Sequence, residues 1–387
     1  MANANHPFVF IGNWDRHKSP PQNGFGIFSF DSETGRLTPA GAAAPEITVG
    51  AACLNPQRTI LYCVDEYTTL PGYFLGGGGQ VYAFKIDAET GALSEINHRP
   101  SFGSLPSSLT IDASGAYLIA THHTDRVPIT KIARDDAGAF RIALDYDDAT
   151  TVLFPLLKDG AIGEPCDVFK HAGDGGPLPR QTHPQLHSVT AAPSGNLFLV
   201  CDKGNDELVF FRIDRETKTL RRCGDAFKTL PGSSPRYAAF HPTRPFVFVN
   251  HETKAIVSAL RYDEAGSMEL IATVSALPSG QEDSMEMKQS DILIDRTGRR
   301  LYSMIRGISA IPVFDVDQTS GSIERIDTVQ LDVLGPRGGA ISPDGRFMVI
   351  AAWESKEVTV WNIGGDGALS PTGHKLKQSN PGTVTFL

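Results

Sequence analysis

The residues of this chain most able to do chemistry stand apart along the sequence, and the few clusters that occur are weak guides to a reaction. His122 and His123, with Asp125 close behind, have the residue types of a metal site. Adjacent residues on a strand point to opposite faces, so the two imidazoles cannot converge on one ion and no metal is expected. The run from Gly76 to Gly79 lacks the following helix and the Lys of a phosphate cradle, and reads as a flexible loop. No Gly-x-Ser-x-Gly elbow is present, which argues against a serine hydrolase of that type. Cys53, Cys63, Cys166, Cys201 and Cys223 are scattered and not spaced as metal ligands. They read as small buried hydrophobes in a reducing compartment. Any reaction therefore has to use residues that are distant in sequence, and the elements that gather them decide what it can be.

Composition narrows the partners. The chain has 387 residues, 41% of them hydrophobic and 20% charged, enough apolar surface for a core. Its net charge of −9 would repel a phosphate backbone, so nucleic acid is not an expected partner. No apolar run approaches the roughly 20 residues of a membrane-spanning helix. Met1 to Trp14 has strand character from Phe8 to Ile11 and no basic-then-apolar leader, so a cytoplasmic protein with no membrane contact is expected.

Self-similarity at a long period decides the architecture. A turn of the form Asp-x-x-Thr-Gly-x-Leu spans Asp31 to Leu37 and Asp87 to Leu93, with looser copies at Asp159, Asp214, Asp263, Asp317 and Asp366, making seven. Each follows a short β-branched or aromatic run such as Val81 to Ile86 or Leu208 to Ile213, so Asp and Gly supply a hairpin turn between strands. A second unit, two apolar strands around a polar turn, recurs at Ala51–Asp65, Ser108–Thr121, Ser188–Asp202, Tyr237–Asn250, Asp291–Met304 and Gly338–Ala351. The seventh copy is split between Phe8 to Trp14 and Thr383 to Leu387. Four strands per repeat of roughly 50 residues predict a seven-bladed β-propeller, all-β, with N- and C-terminal strands sharing one blade and 1–387 forming a single domain.

Blade topology then places side chains. With strands A to D running outward, the loop into A and the loop leaving B lie on the same face, so residues there ring one mouth of the central channel. Three consecutive B-to-C loops are long: Asp15 to Asn23, Thr68 to Gly79, and His122 to about Ala149, the last with an extra strand over Phe140 to Leu144. They are expected to rise over that mouth as a partial lid.

Three segments carry a family resemblance: Gly335-Pro336-Arg337 through Ser342-Pro343-Asp344-Gly345-Arg346-Phe347, Pro235-Arg236 through Phe240-His241-Pro242, and His187-Ser188-Val189. In this order the chain resembles the seven-bladed propeller lactonases, which include propeller-type 6-phosphogluconolactonases and fungal 3-carboxy-cis,cis-muconate cyclases. The resemblance implies roles for four residues: His187 as general acid/base, Glu252 as its partner or as the orienter of Arg236, and Arg236 and Arg306 as fixed cations for an anionic substrate and a developing oxyanion. Glu66 holds the corresponding strand end in the second blade, Arg337 repeats the Pro-Arg element, and Gln185 stands where the family commonly has a His; all three are candidate substrate contacts. Each also has a plainer reading: His187 as a hydrogen-bonded structural residue, the arginines as rim ion pairs of Glu252, Glu66 as a solvated carboxylate, and the Pro-Arg element as a device that closes blades.

Departures from the family pattern are Gln185, Ile308 in place of a His, and Ala352-Trp353 in place of Asn-Gln. They make the pocket more apolar than in the sugar-phosphate enzymes. The leading expectation is a cofactor-free, metal-independent hydrolase of a small anionic lactone, by default 6-phosphogluconolactone, working as a monomer or weak homo-oligomer. A carboxymuconate-type cycloisomerase is the alternative among enzymes, and a non-catalytic interaction propeller the alternative outside them.

Overall fold

The computed structural model describes residues 7–15, 17–18 and 23–387, so the expected loop over Asp15 to Asn23 and the first residues of the chain lie partly outside the described residues. Among these residues there are thirty strands, β1 to β30 in chain order, and no helix. Twenty-eight of them form seven four-stranded antiparallel sheets. From blade 1 to blade 7, the innermost strands are β30 (Pro381–Phe386), β4 (Val49–Leu54), β8 (Pro106–Ile111), β14 (Leu186–Ala191), β18 (Pro235–Phe240), β22 (Gln289–Ile294) and β26 (Pro336–Ile341). Each packs on the next, and β26 meets β30 while β30 meets β4, so the ring is closed. The next strands outward are β1 (Phe8–Asn13), β5 (Ile60–Asp65), β9 (Tyr117–His122), β15 (Phe198–Asp202), β19 (Phe246–His251), β23 (Arg300–Ile305) and β27 (Phe347–Ala352). Pairing of β1 with β30 joins the two ends of the chain in one blade and leaves no open edge at the seam.

The core lies between blades. Along β15, Phe198 and Val200 join the cluster shared with blade 3, while Leu199 and Cys201 join the cluster shared with blade 5. Period-2 alternation with both faces apolar is what a strand sandwiched between two sheets requires. The Asp-Gly repeats are the turns into the outermost strands: Asp31 Oδ1 accepts from Glu33 N at 2.8 Å and Asp87 Oδ1 from Thr90 N at 2.8 Å. The turn glycines Gly35 (φ +75°) and Gly91 (φ +71°) adopt the left-handed conformation. Each also packs on the neighbouring blade, where an added Cβ would come within 2.7 Å of Phe347 and 2.6 Å of Phe8 respectively.

The long connection of blade 3 holds a complete hairpin, β10 (Ile129–Arg134) with β11 (Phe140–Asp145), where the sequence suggested one strand. Its apolar residues Ile132, Phe140 and Ile142 are exposed. Both stems meet at His183: Thr124 Oγ1 lies 2.6 Å from its Nε2, and Tyr146 stacks on its ring at 4.3 Å.

Candidate functional site

Two sevenfold sets of positions form the channel mouth. The first is the second residue of each inner strand: Gly382, Gly50, Ser107, His187, Arg236, Ser290 and Arg337 from blade 1 to blade 7. At this residue the ladder slips. Leu186 pairs with Asp202 and Ser188 with Cys201, leaving His187 unpaired; Arg236 and Arg337 are left out in the same way. A bulge adds a residue without a partner and re-aims its side chain, here from the blade interfaces into the channel. In blades 5 and 7 a Pro opens the strand, at a place where a missing N–H costs nothing.

The second set is the residue that follows each B strand: Trp14, Glu66, His123, Lys203, Glu252, Arg306 and Trp353. Its N–H donates to the carbonyl just before strand A in every blade, as in Lys203 N to Gln185 O (3.0 Å), Glu252 N to Ser234 O (2.8 Å) and Arg306 N to Lys288 O (3.2 Å). That bond pins the strand end, so the side chain leans inward over the bulge.

The two sets converge on Glu252. Its Oε2 receives Lys203 Nζ in a short ion pair and lies 3.5 Å from Arg236 Nε, while Oε1 lies 3.3 Å from Arg306 Nη2. Arg236 is further fixed by the Ser290 carbonyl, and Arg306 by the carbonyls of Lys288 and Gln289. Burial alone would raise the Glu252 carboxyl, but Lys203, Arg236 and Arg306 outweigh it and hold it well below the usual range. Lys203 is buried too, and burial pulls its ammonium down to about 8 even against the pull of Glu252. Three cations thus contact one carboxylate, while Asp291 acts on Arg236 and Glu354 on Arg306 from further off.

His187 stands beside this cluster. Its ring lies between His123 at 5.6 Å and Tyr237 at 5.0 Å, and its Nδ1 is buried without a hydrogen-bond partner. Burial, then Arg236 and Lys203, push its pKa well below the ordinary value, so the imidazole is neutral. Below it a cavity of about 230 Å³ is lined by Glu66, His187, Arg236, Tyr237, Asp291 and Arg337. The opening exists because blade 2 carries Gly50 at the bulge, where a Cβ would strike Glu66 Oε2 at 2.6 Å. Burial lowers the Arg337 guanidinium to about 10, against the pull of Glu66, and raises Asp291 to about 6.

Six of the seven site residues anticipated from sequence meet at this mouth: His187, Arg236, Glu66 and Arg337 on the cavity wall, Glu252 and Arg306 in the ion cluster behind Arg236. Gln185 does not line the cavity. It holds the backbone position just before strand A, its N–H donates to Asp202 Oδ1 at 2.8 Å, and its side chain turns back to the Arg180 carbonyl at 2.7 Å. His122 and His123 diverge as strand alternation demands: His122 Nδ1 lies 3.0 Å from the Thr150 carbonyl in its own blade, whereas His123 faces His187. Lys203 was not among the residues anticipated from sequence, although it lies one residue past strand B, the place that Glu252 and Arg306 hold in their blades.

A family model described as lactonase, 7-bladed β-propeller, matches residues 9–386. A 6-phosphogluconolactonase of Bacillus subtilis is 28% identical over 339 residues, covering 87% of this chain and 86% of that protein. One of Erwinia tasmaniensis is 30% identical over 294 residues, 76% of this chain and 77% of its own. Among solved structures, the periplasmic gluconolactonase of Pseudomonas aeruginosa superposes with a TM-score of 0.85 at 19% identity, covering 99% of each chain.

Proposed function

Because this chain belongs to the seven-bladed β-propeller lactonases, we propose that it opens a small anionic lactone with water and that 6-phosphogluconolactone is its substrate. The observation that carries this is the cationic cluster at the mouth, where Lys203, Arg236 and Arg306 all contact Glu252 and Arg337 lines the cavity beside them. The chain as a whole carries −9, so a preformed cationic cluster in a buried niche is specific preparation for an anion.

In the mechanism we infer, the phosphate is held by the cationic cluster and the lactone carbonyl is turned toward Arg236. His187 takes a proton from water as its oxygen adds to the carbonyl carbon, and the charge on the carbonyl oxygen is met by guanidinium groups that need no reorganisation. The tetrahedral intermediate collapses with cleavage of the ring C–O bond. The leaving oxygen takes the proton back from the His187 imidazolium, giving the open hydroxy acid. Glu252 stays ionised throughout and orients Arg236, Arg306 and Lys203, a positioning role. The five cysteines are all unpaired, which suits a reducing cytoplasm. We expect a monomer or weak oligomer, since the inner ring is complete within one chain.

Hydrolysis of 6-phosphogluconolactone by the purified protein tests the reading. His187→Ala is expected to lower kcat by 10²- to 10⁴-fold, the usual worth of a general base. Turnover that survives this change in a folded protein would remove His187 from the mechanism. The partly exposed Trp14 and Trp353 support a second substrate, a carboxylated muconolactone, which an ultraviolet assay run in parallel would detect.

A further inference from the structure

A cluster of cations grips any small anion and cannot by itself tell a cyclic ester from an open chain. Discrimination has to come from a surface that touches the carbon skeleton, and blades 7 and 1 supply one. Trp14 and Trp353, two of the three tryptophans, hold adjacent places in the ring of residues that follow the B strands. Their rings meet edge to face at 5.8 Å, and Trp353 Nε1 donates to the Trp14 carbonyl at 3.1 Å. Both remain partly exposed.

Trp14 is joined to the site by Arg337. The guanidinium carbon lies 3.9 Å from the centroid of the Trp14 ring, and the same residue lines the cavity. Arg337 also feels the charges of Arg236 and Arg306. Beside it, blade 1 carries Gly382 at the bulge position, where a Cβ would come within 3.0 Å of Trp14 Cβ and 3.5 Å of Arg337 Nε. The missing side chain lets the indole settle against the cavity rim. The mouth is therefore ionic over blades 4 to 6 and aromatic over blades 7 and 1. A partly exposed indole fixed by its neighbours is an apolar surface with little entropy left to lose.

We propose that Trp14 and Trp353 form the wall against which the ring of the substrate packs, so that this pair selects cyclic anions over acyclic ones. The inference rests on the lactonase reading and adds two specificity-determining residues to it.

Glucose 6-phosphate, with a ring and no scissile ester, and glycerol 3-phosphate, with no ring, are the probes. Trp361, the third tryptophan, is buried with its Nε1 on Thr359 Oγ1 at 3.0 Å, so an emission change on binding reports Trp14 and Trp353. Glucose 6-phosphate is expected to change tryptophan emission saturably and to inhibit hydrolysis about tenfold more tightly than glycerol 3-phosphate, the scale of one stacking face. Glycerol 3-phosphate should inhibit with no emission change. Trp353→Ala is expected to raise KM for the lactone about tenfold with kcat within twofold, and to erase the preference for the ring; Trp353→Phe should restore both. Equal affinity for the two phosphates, no emission change with glucose 6-phosphate, or an unaltered KM in folded Trp353→Ala would each overturn the proposal. An emission response in a protein that hydrolyses no anionic lactone would instead defeat the lactonase reading and leave the wall standing.

Discussion

Surrounding one buried carboxylate with three cations fixes the protonation of everything near Glu252, and that sets the pH behaviour of the site. Lys203 is the cation that can be lost, because burial has brought its ammonium to about 8 while guanidinium groups stay charged. Charge on Lys203 is present below that pH and disappears above it. We therefore expect KM for an anionic lactone to rise as pH climbs through about 8, and Lys203→Arg to shift that limb upward. Lys203→Met should raise KM roughly 10- to 100-fold at neutral pH, as for loss of one buried charge-assisted contact. A pH–rate profile whose alkaline limb is the same in Lys203→Arg would show that another group is responsible. On the acid side His187 is expected to contribute no inflection at the ordinary histidine value of 6.5, because burial, Arg236 and Lys203 keep it neutral well below that pH; a limb near 6 would report Asp291 on the cavity wall. Much of this was visible in the sequence as residue types, but not the state of each group: Glu252 is depressed by Arg236 and by Lys203 and Arg306, 49 and 54 positions away, and Lys203 is depressed by burial.

At the scale of elements, the turn glycines show how local and tertiary demands coincide. Gly91 needs a positive φ, and its missing side chain also makes room for Phe8 of blade 1. Gly91→Val is expected to cost about 2–4 kcal/mol in chemical denaturation, strain plus overpacking. Gly72, at φ +87° with nothing within 4 Å of an added Cβ, should cost only about 1 kcal/mol as Gly72→Ala, the strain alone. Similar losses at both sites would deny that the turn packs on its neighbour. These turns were legible because Asp and Gly announce them. The bulges that aim His187, Arg236 and Arg337 were not, since a one-residue slip in register leaves no mark on the apolar alternation. Gln185 shows the consequence: two residues from His187 in sequence, it lies on the far side of the slip and faces Arg180.

For the whole molecule, stability and function share one condition, the closed ring. β30 supplies Val384 and Phe386 to the core between blades 7 and 1, with Phe386 edge to face on Phe30 at 5.1 Å. It also carries Gly382, against which Trp14 leans. A chain ending at Asn380 would expose the edge of β1 and remove both core residues, a loss on the order of 5 kcal/mol from side-chain burial alone. We expect no cooperative thermal transition near that of the intact protein, followed by circular dichroism. A truncated chain that melts within a few degrees of the full one would mean that the seam contributes little.

The sequence by itself determined the blade: strand alternation, seven Asp-Gly turns and a split first repeat are local features, written in the order of residues. It also determined which strand ends share one mouth of the channel, because antiparallel neighbours leave no choice about where the end of one strand meets the start of the next. Only the tertiary structure decided the site itself. Which side chains converge depends on the bulge at each inner strand, on glycines that leave space at Gly50 and Gly382, and on charges summed across blades. Those quantities depend on distance in space, and a linear chain does not contain them until the ring has closed.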